Sequence, residues 1–272
     1  MRGTSIFKVI LIATGPTEWE TPAPAPGSNI PGSNILASNI LASGSPASGR
    51  IQGNTDLPLS ADGLTCVEQQ AIAHPLLQGA IPGAGEGVSG FGFERQSRYR
   101  SRRVSREEGA LLPGAGVELH WIYCSPDEAS RQTGAIFARA FDGRIKPIEE
   151  LAEMNLGLWQ GLMCDSVAER YAKSYECWNQ SPDAVSIPDG ETLEQAAERM
   201  KHAVGRLLRK ADTDRPLVLV LRSIMRGLCR RWLTGLPLTD WRTPGDRDMV
   251  TELNVNCAEL AEPGRRRRSI VA

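Results

Sequence analysis

The sequence predicts an α/β fold whose central sheet is mostly parallel. Three short apolar runs, at residues 9–12, 120–124 and 217–220, have the length and composition of buried strands. The second and third runs lead into segments that favour helix, and the first breaks at Gly15 and Pro16 into a polar loop. Ligands bind at the carboxyl ends of strands in open α/β sheets, so we expect this loop to belong to the functional site.

Composition limits the classes of function. The 272 residues suffice for one large α/β domain, and 41% hydrophobic with 23% charged residues suits a globular protein with a substantial core. The net charge of −1 gives no global basic field, so nucleic acid is not an expected partner. No apolar run is long enough to cross a bilayer and no signal-peptide pattern follows the first strand, so we expect a cytoplasmic protein with no membrane partner.

The cysteines predict neither a metal site nor a cofactor. The six residues are widely spaced and form no Cys-x-x-Cys pair. We therefore expect buried free thiols, as is usual in a reducing cytosol.

Three segments are expected to lie outside the core of a single domain over residues 1–272. Residues 21–49 carry no charge and contain a five-residue repeat, which predicts a flexible low-complexity insertion; a binding role is the weaker alternative. Residues 78–117 are rich in Gly and then Arg, which predicts a solvated insertion, with phosphate or RNA contact as the alternative. Residues 262–272 form a basic tail that is either solvated or in contact with an acidic partner.

Periodicity predicts most of the remaining elements. Helices are expected at residues 61–73, 166–178 and 192–210, and a further helix ends near residue 233. Thr192 and Gln195 have the spacing of a capping box, and apolar residues recur every three or four positions after them. His202 falls on this helix and is expected at the surface. Residues 250–255 predict a late strand at the edge of the sheet.

Five motifs follow one another at residues 13–17, 49–60, 125–133, 151–161 and 221–228. They resemble those of the histidine phosphatase superfamily, the phosphoglycerate mutase-like group. In that family the motifs are Arg-His-Gly-x-Thr, Gly-Arg-x-Gln-Gly-x-x-Asp-x-Pro-Leu-Ser, Ser-Pro-Leu-x-Arg-Ala-x-Gln-Thr, Leu-x-Glu-x-x-x-Gly-x-Trp-x-Gly and His-Gly-x-x-x-Arg-x-Leu. The resemblance implies a three-layer α/β/α sandwich, and it places the repeat of residues 21–49 inside the active-site loop.

The resemblance also implies a phosphoryl-transfer site. It makes this chain a degenerate member of the family, which lacks the catalytic His and Arg residues of that site. The first motif's phosphate-binding Arg and nucleophilic His fall on Ala13 and Thr14. The phosphate-binding Arg of the third motif falls on Ala129, and the second catalytic His falls on Leu221. The acid/base Glu of the fourth motif is retained as Glu153.

Three arginines are candidates to replace the missing cations, and a fourth, Arg131, is not a substitute. Arg50 and Arg226 belong to the second and fifth motifs, and we expect them to bind a ligand. Arg131 lies two residues after Ala129, about 200° around a helix, so it is expected to point elsewhere. Arg222 follows Leu221, and strand alternation is expected to turn it away from the site.

Two hypotheses follow, and a third is weaker. The first is a catalytically inactive pseudophosphatase that binds or scaffolds, with a phosphorylated small molecule or a protein as partner. The alternative is a phosphomonoester hydrolase or other enzyme of altered chemistry that uses Glu153 and nearby arginines. A nucleic-acid module built on the Arg-rich insertion is least favoured at this net charge. If the first hypothesis is correct, restoring Arg and His at positions 13, 14, 129 and 221 should create phosphatase activity.

Overall fold

The computed structural model describes residues 6–19, 50–73, 121–140, 143–211, 215–238, 248–257 and 260. The predicted insertions at 21–49 and 78–117 and the predicted tail at 262–272 lie outside these described residues. The described residues on either side of the first insertion lie near one another, because the Arg50 amide donates to the Trp19 carbonyl oxygen (3.3 Å). A segment that leaves and returns at one point lengthens a loop at little entropic cost.

In the part of the chain that the structure describes, five strands form one sheet in the order β3-β2-β4-β1-β5. They are β1 Ile6–Ala13, β2 Trp121–Cys124, β3 Arg144–Pro147, β4 Leu217–Leu221 and β5 Val250–Asn256. The first four run parallel, and β5 pairs antiparallel with β1 at the edge. The predicted α/β class, mostly parallel sheet and late edge strand are therefore confirmed.

Helices cover both faces of the sheet. The described helices are α1 Ala61–Ala73, α2 Glu128–Ala140, α3 Cys164–Arg170, α4 Ala172–Gln180, α5 Leu193–Lys210 and α6 Ser223–Leu233. Alternate residues of β1 face opposite sides: Ile10 and Ile12 pack with α1 and α2, whereas Val9 and Leu11 pack with α5 and α6. This arrangement is the predicted three-layer sandwich. None of the described helices is both long and apolar enough to span a membrane.

Local signals predicted several element boundaries well. Helix α1 has the predicted bounds, and α5 begins at Thr192, whose side chain forms the predicted capping box with Gln195. The helix predicted over 166–178 is instead two helices that meet at Tyr171, where φ is −124°. Strand β3 was missed, because two of its four residues are charged and three are exposed, so no apolar alternation marks it.

All six cysteines are free, as expected, but only three of them are buried. Burial raises the pKa of the Cys124 thiol to about 12 and that of Cys164 to about 11. These thiols therefore stay protonated and unreactive near neutral pH.

Candidate functional site

Three motifs converge at the carboxyl ends of β1, β2 and β4. The register pairs Ala13 with Leu221, so these strands end side by side. The Thr14 amide donates to the Leu221 carbonyl oxygen (3.0 Å), and the Ser125 amide donates to that of Val220 (3.1 Å). The loops that follow the strands therefore meet at one edge of the sheet, as expected for a ligand site in this fold class.

Thr14, at the predicted nucleophile position, is paired with another hydroxyl. Its Oγ1 lies 2.7 Å from Ser130 Oγ, and the next amide, that of Gly15, donates to Thr133 Oγ1 (3.1 Å). A hydroxyl becomes a useful nucleophile when a base removes its proton, and the Ser130 hydroxyl is no such base near neutral pH. The hydrogen bonds at this position connect the β1 loop to α2.

Ala129 and Leu221, two of the other three positions predicted to be substituted, belong to the apolar core. Both are fully buried, but they lie on opposite sides of the sheet. The Ala129 amide donates to the Leu57 carbonyl oxygen (3.1 Å), which joins α2 to the second motif. Neither side chain offers a charge or a hydrogen bond to a ligand.

Glu153, at the predicted acid/base position, caps helix α6. Its Oε1 accepts hydrogen bonds from the amides of Met154 (2.8 Å) and Met225 (3.1 Å), and its Oε2 accepts from that of Ile224 (3.0 Å). The last two donors belong to the first turn of α6, where amides have no partner within the helix. Burial raises the Glu153 pKa to about 6, while Arg222 and the three amides act in the opposite direction.

Arg199 fixes the loop that carries Glu153. Its guanidinium donates to the carbonyl oxygens of Glu150 (2.9 Å), Ala152 (2.6 Å) and Glu153 (3.0 Å). Glu191 receives the remaining two hydrogen bonds, at 3.0 and 2.6 Å. Five charge-assisted bonds to one planar group hold the loop rigidly against α5.

Arg222 points into the site, and the prediction that it turns away was wrong. Its side chain is only 4% exposed, and Nη2 donates to Gln52 Oε1 (2.7 Å). Its Nη1 lies 4.0 Å from Asp127 Oδ1. The strand alternation used for the prediction ends at Leu221, since Arg222 is the N-cap of α6 with φ −75° and ψ 171°.

Gln52 and Asp127 are site residues that sequence reasoning missed. Gln52 Oε1 accepts from Arg222 and also from Thr17 Oγ1 (2.7 Å). Asp127 caps α2, because its Oδ1 accepts from the Ser130 amide (2.9 Å). A signal was present: Asp127 stands at the Leu of the third motif and Arg222 at the Gly of the fifth, so each motif has gained a charge.

The other candidate arginines are held by contacts with the chain itself. Arg50 is exposed, donates to the Gly161 carbonyl oxygen (2.7 Å) and lies 5.9 Å from the centre of the Trp19 ring. Arg226 is buried but donates to the Asp248 carbonyl oxygen (2.6 Å) and Thr251 Oγ1 (3.0 Å). These bonds tie α6 to the segment that enters β5. The ligand-binding role predicted for both residues gains no support from these contacts.

Arg131 and His202 lie where the sequence placed them. Arg131 pairs with Glu128 at the surface, with Nη2 2.5 Å from Oε2. His202 is exposed on α5. Within the described residues, no group of three or more His, Cys, Asp or Glu side chains could hold a metal ion.

Comparison with known proteins identifies the family. The sequence model of the histidine phosphatase superfamily (branch 1) matches residues 104–259, more than half of the chain. The chain belongs to the histidine phosphatase superfamily. The matched range includes Glu153 and Leu221, and it begins well after Thr14.

Curated relatives of this histidine phosphatase family protein include phosphoserine phosphatases. Phosphoserine phosphatase 1 of Hydrogenobacter thermophilus is 22% identical over 177 residues, which is 60% of this chain and 79% of that protein. A metal-independent phosphoserine phosphatase of Arabidopsis thaliana is 25% identical over 112 residues, 40% of this chain and 47% of that protein. The chain therefore spans about half the length of the second relative.

Solved structures confirm the fold. A mycobacterial glucosyl-3-phosphoglycerate phosphatase has a TM-score of 0.55 and 18% identity, over 87% of this chain and 84% of that one. A putative alpha-ribazole-5'-P phosphatase from Escherichia coli has a TM-score of 0.56 and 15% identity, over 92% and 96%. At these identities the likeness establishes the architecture, and function has to be argued from the site.

Proposed function

We propose that this family member does not transfer phosphoryl groups and serves instead as a binding or scaffolding protein. One observation carries the proposal: the hydroxyl of Thr14, at the nucleophile position, is hydrogen-bonded to the hydroxyl of Ser130. The family reaction begins with attack by an imidazole. A threonine would need a neighbouring base to replace it, and Ser130 does not act as one.

The charge of the site also argues against phosphoryl transfer. Transfer needs cations around the equatorial oxygens of the phosphoryl group. Ala13 and Ala129 carry no charge, and the buried Arg222 lies beside Asp127 and interacts with Glu153. Loss of one stabilising group typically costs about 100- to 1,000-fold in rate. Four such positions are substituted here, so the family mechanism would leave no measurable turnover.

A protein partner suits this site better than a phosphorylated small molecule. The carboxylates of Asp127 and Glu153 would repel a phosphate group. A cytoplasmic location fits the six free cysteines, since disulfides are rare in that compartment.

A second candidate is an enzyme of altered chemistry that uses Glu153. The observation in its favour is the Glu153 pKa of about 6, which lets the carboxyl group exchange a proton near neutral pH. The evidence against it is that the two carboxylate oxygens already accept hydrogen bonds from three backbone amides. A carboxylate engaged in this way is a poor proton carrier, so we rank this function second.

A phosphatase assay separates the two candidates. The purified chain and its Glu153→Gln variant would be tested on p-nitrophenyl phosphate and on phosphoserine, with an active family member as the positive control. We expect no turnover above background from either form. Turnover by the wild type that is lost in Glu153→Gln would favour the second candidate and overturn the first.

A further inference from the structure

We propose that Arg222 and Asp127 occupy the phosphate pocket of this fold as a buried charge pair and exclude anionic ligands from it. The inference deepens the proposed function and rests on it, because it describes why the same site would not take a phosphate. It assigns a specificity-determining role to two residues that lie outside the family's catalytic set.

Arg222 reaches the centre of the site from the end of β4. Its contacts join two other motifs, through Gln52 of the second at 2.7 Å and Asp127 of the third at 4.0 Å. Burial raises the pKa of Glu153 in the fourth motif, and the charge of Arg222 acts to lower it. Gln52 in turn accepts a hydrogen bond from Thr17 of the first motif. The guanidinium therefore lies among all the loops that surround the substrate position in this fold.

The position of the guanidinium is fixed before any ligand arrives. Gln52 is anchored at both ends of its amide, since Oε1 accepts from Thr17 and Nε2 donates to the Thr55 carbonyl oxygen (3.0 Å). The Arg222 backbone is fixed as the N-cap of α6. An anion that bound Nη2 would have to displace Gln52, and an anion at Nη1 would lie beside the Asp127 carboxylate.

The charges of the buried site are unfavourable for an anion. One guanidinium faces two carboxylates, and the side chains of Asp127 and Arg222 are only 8% and 4% exposed. Asp127 Oδ2 accepts no hydrogen bond from the described residues. An entering phosphate would therefore meet an uncompensated carboxylate oxygen, and separating a buried pair leaves charges that water cannot solvate.

A purely structural pair would have the same contacts, so the test must measure ligand binding. Asp127→Asn is the sharpest variant, because the amide oxygen can still cap α2 while the counter-charge is gone. Arg222 then faces the Glu153 carboxylate alone, the negative excess of the site is gone, and inorganic phosphate should bind. The first matched control combines Asp127→Asn with Arg222→Met, so that the site has no cation. The second is Glu128→Gln, which removes an exposed charge at the adjacent residue.

The measurement is the melting temperature with and without inorganic phosphate. We expect no shift in the wild type or in either control, and a rise of about 3 °C or more at saturating phosphate in Asp127→Asn. The exclusion would be overturned if phosphate raised the melting temperature of the wild type as much as that of Asp127→Asn. It would also be overturned if the rise persisted in the double variant that carries Arg222→Met. Phosphate binding by a wild type without turnover would overturn this inference alone, whereas turnover would overturn the proposed function.

A second test uses restored catalytic residues. The sequence alone predicted that restoring the four family side chains would create activity; exclusion revises this prediction, because the charge pair would remain in the pocket. The restoration variant combines Ala13→Arg, Thr14→His, Ala129→Arg and Leu221→His. We expect it to hydrolyse p-nitrophenyl phosphate only when Asp127→Leu and Arg222→Gly are added. Equal activity with and without the last two substitutions would contradict the inference; if these variants do not fold, the phosphate shift in Asp127→Asn decides.

Discussion

The site holds two buried carboxylates, Glu153 and Asp127, and each caps the first turn of a helix. Glu153 accepts hydrogen bonds from three backbone amides and holds the start of α6. Asp127 accepts a hydrogen bond from one amide and holds the start of α2. Glu153 stands where the family has a catalytic Glu; Asp127 stands where it has Leu. The comparison shows that a Glu at a predicted catalytic position can be needed for the structure alone. The presence of Glu153 is therefore no argument for catalysis.

Removal of the Glu153 side chain tests the comparison between the two carboxylates most strongly, because we expect it to have the largest effect on stability. Glu153→Ala would leave the amides of Ile224 and Met225 buried without an acceptor, so we expect a loss of about 4 kcal/mol in the free energy of unfolding. Urea denaturation monitored by circular dichroism measures it. Glu169→Ala, at an exposed position on α3, is the control and should change stability little. A loss below about 1 kcal/mol would mean that the carboxylate is not structural.

Removal of Asp127 should have the next largest effect. Asp127→Ala removes the cap of α2 and the carboxylate beside Arg222, so we expect a loss of about 3 kcal/mol. Asp127→Asn should retain the part of this stability that the cap contributes, because its side-chain oxygen can still accept from the Ser130 amide. Urea denaturation of both variants separates the two contributions. Identical losses would indicate that the charge beside Arg222 contributes nothing.

The smallest expected effect is the pH dependence of stability that Glu153 causes. Its pKa is raised from 4.5 in the unfolded chain to about 6, so the folded state holds the extra proton between these values. Its stabilising contribution is therefore full below about pH 4.5 and declines as the pH rises through about 6, by about 2 kcal/mol in all. Glu153→Gln lacks this titration.

The measurement is the difference in unfolding free energy between the wild type and Glu153→Gln, followed from about pH 4 to about pH 7. We expect the difference to shift against the wild type as the pH rises. A constant difference, or a shift in the opposite direction, would contradict the buried environment assigned to this carboxyl group.

Much of the fold follows from local sequence signals. The runs of β1 and β4 are apolar enough to be recognised alone, and the capping box of Thr192 marks the start of α5. Strand β3 lacks such a signal, because its stability comes from pairing with β2 at an exposed edge. The break between α3 and α4 at Tyr171 likewise has no Gly or Pro that would predict it from the sequence.

The site was predictable in its location but not in its contacts. Motif positions located Thr14 and Leu221 at strand ends and Ala129 at the start of α2. The orientation of Arg222 depended on where β4 stops, a difference of one residue that local patterns do not determine. Its bond to Gln52 joins residues 170 positions apart, so only the folded chain brings them together.

The most direct test of the account is whether Thr14 ever carries a phosphoryl group. The purified chain would be incubated with p-nitrophenyl phosphate and its intact mass measured, with Thr14→Val as the control. Because a phosphothreonine ester is stable, an adduct would persist through the measurement. The account predicts an unmodified wild-type chain. A phosphate adduct on the wild type that is absent from Thr14→Val would contradict it.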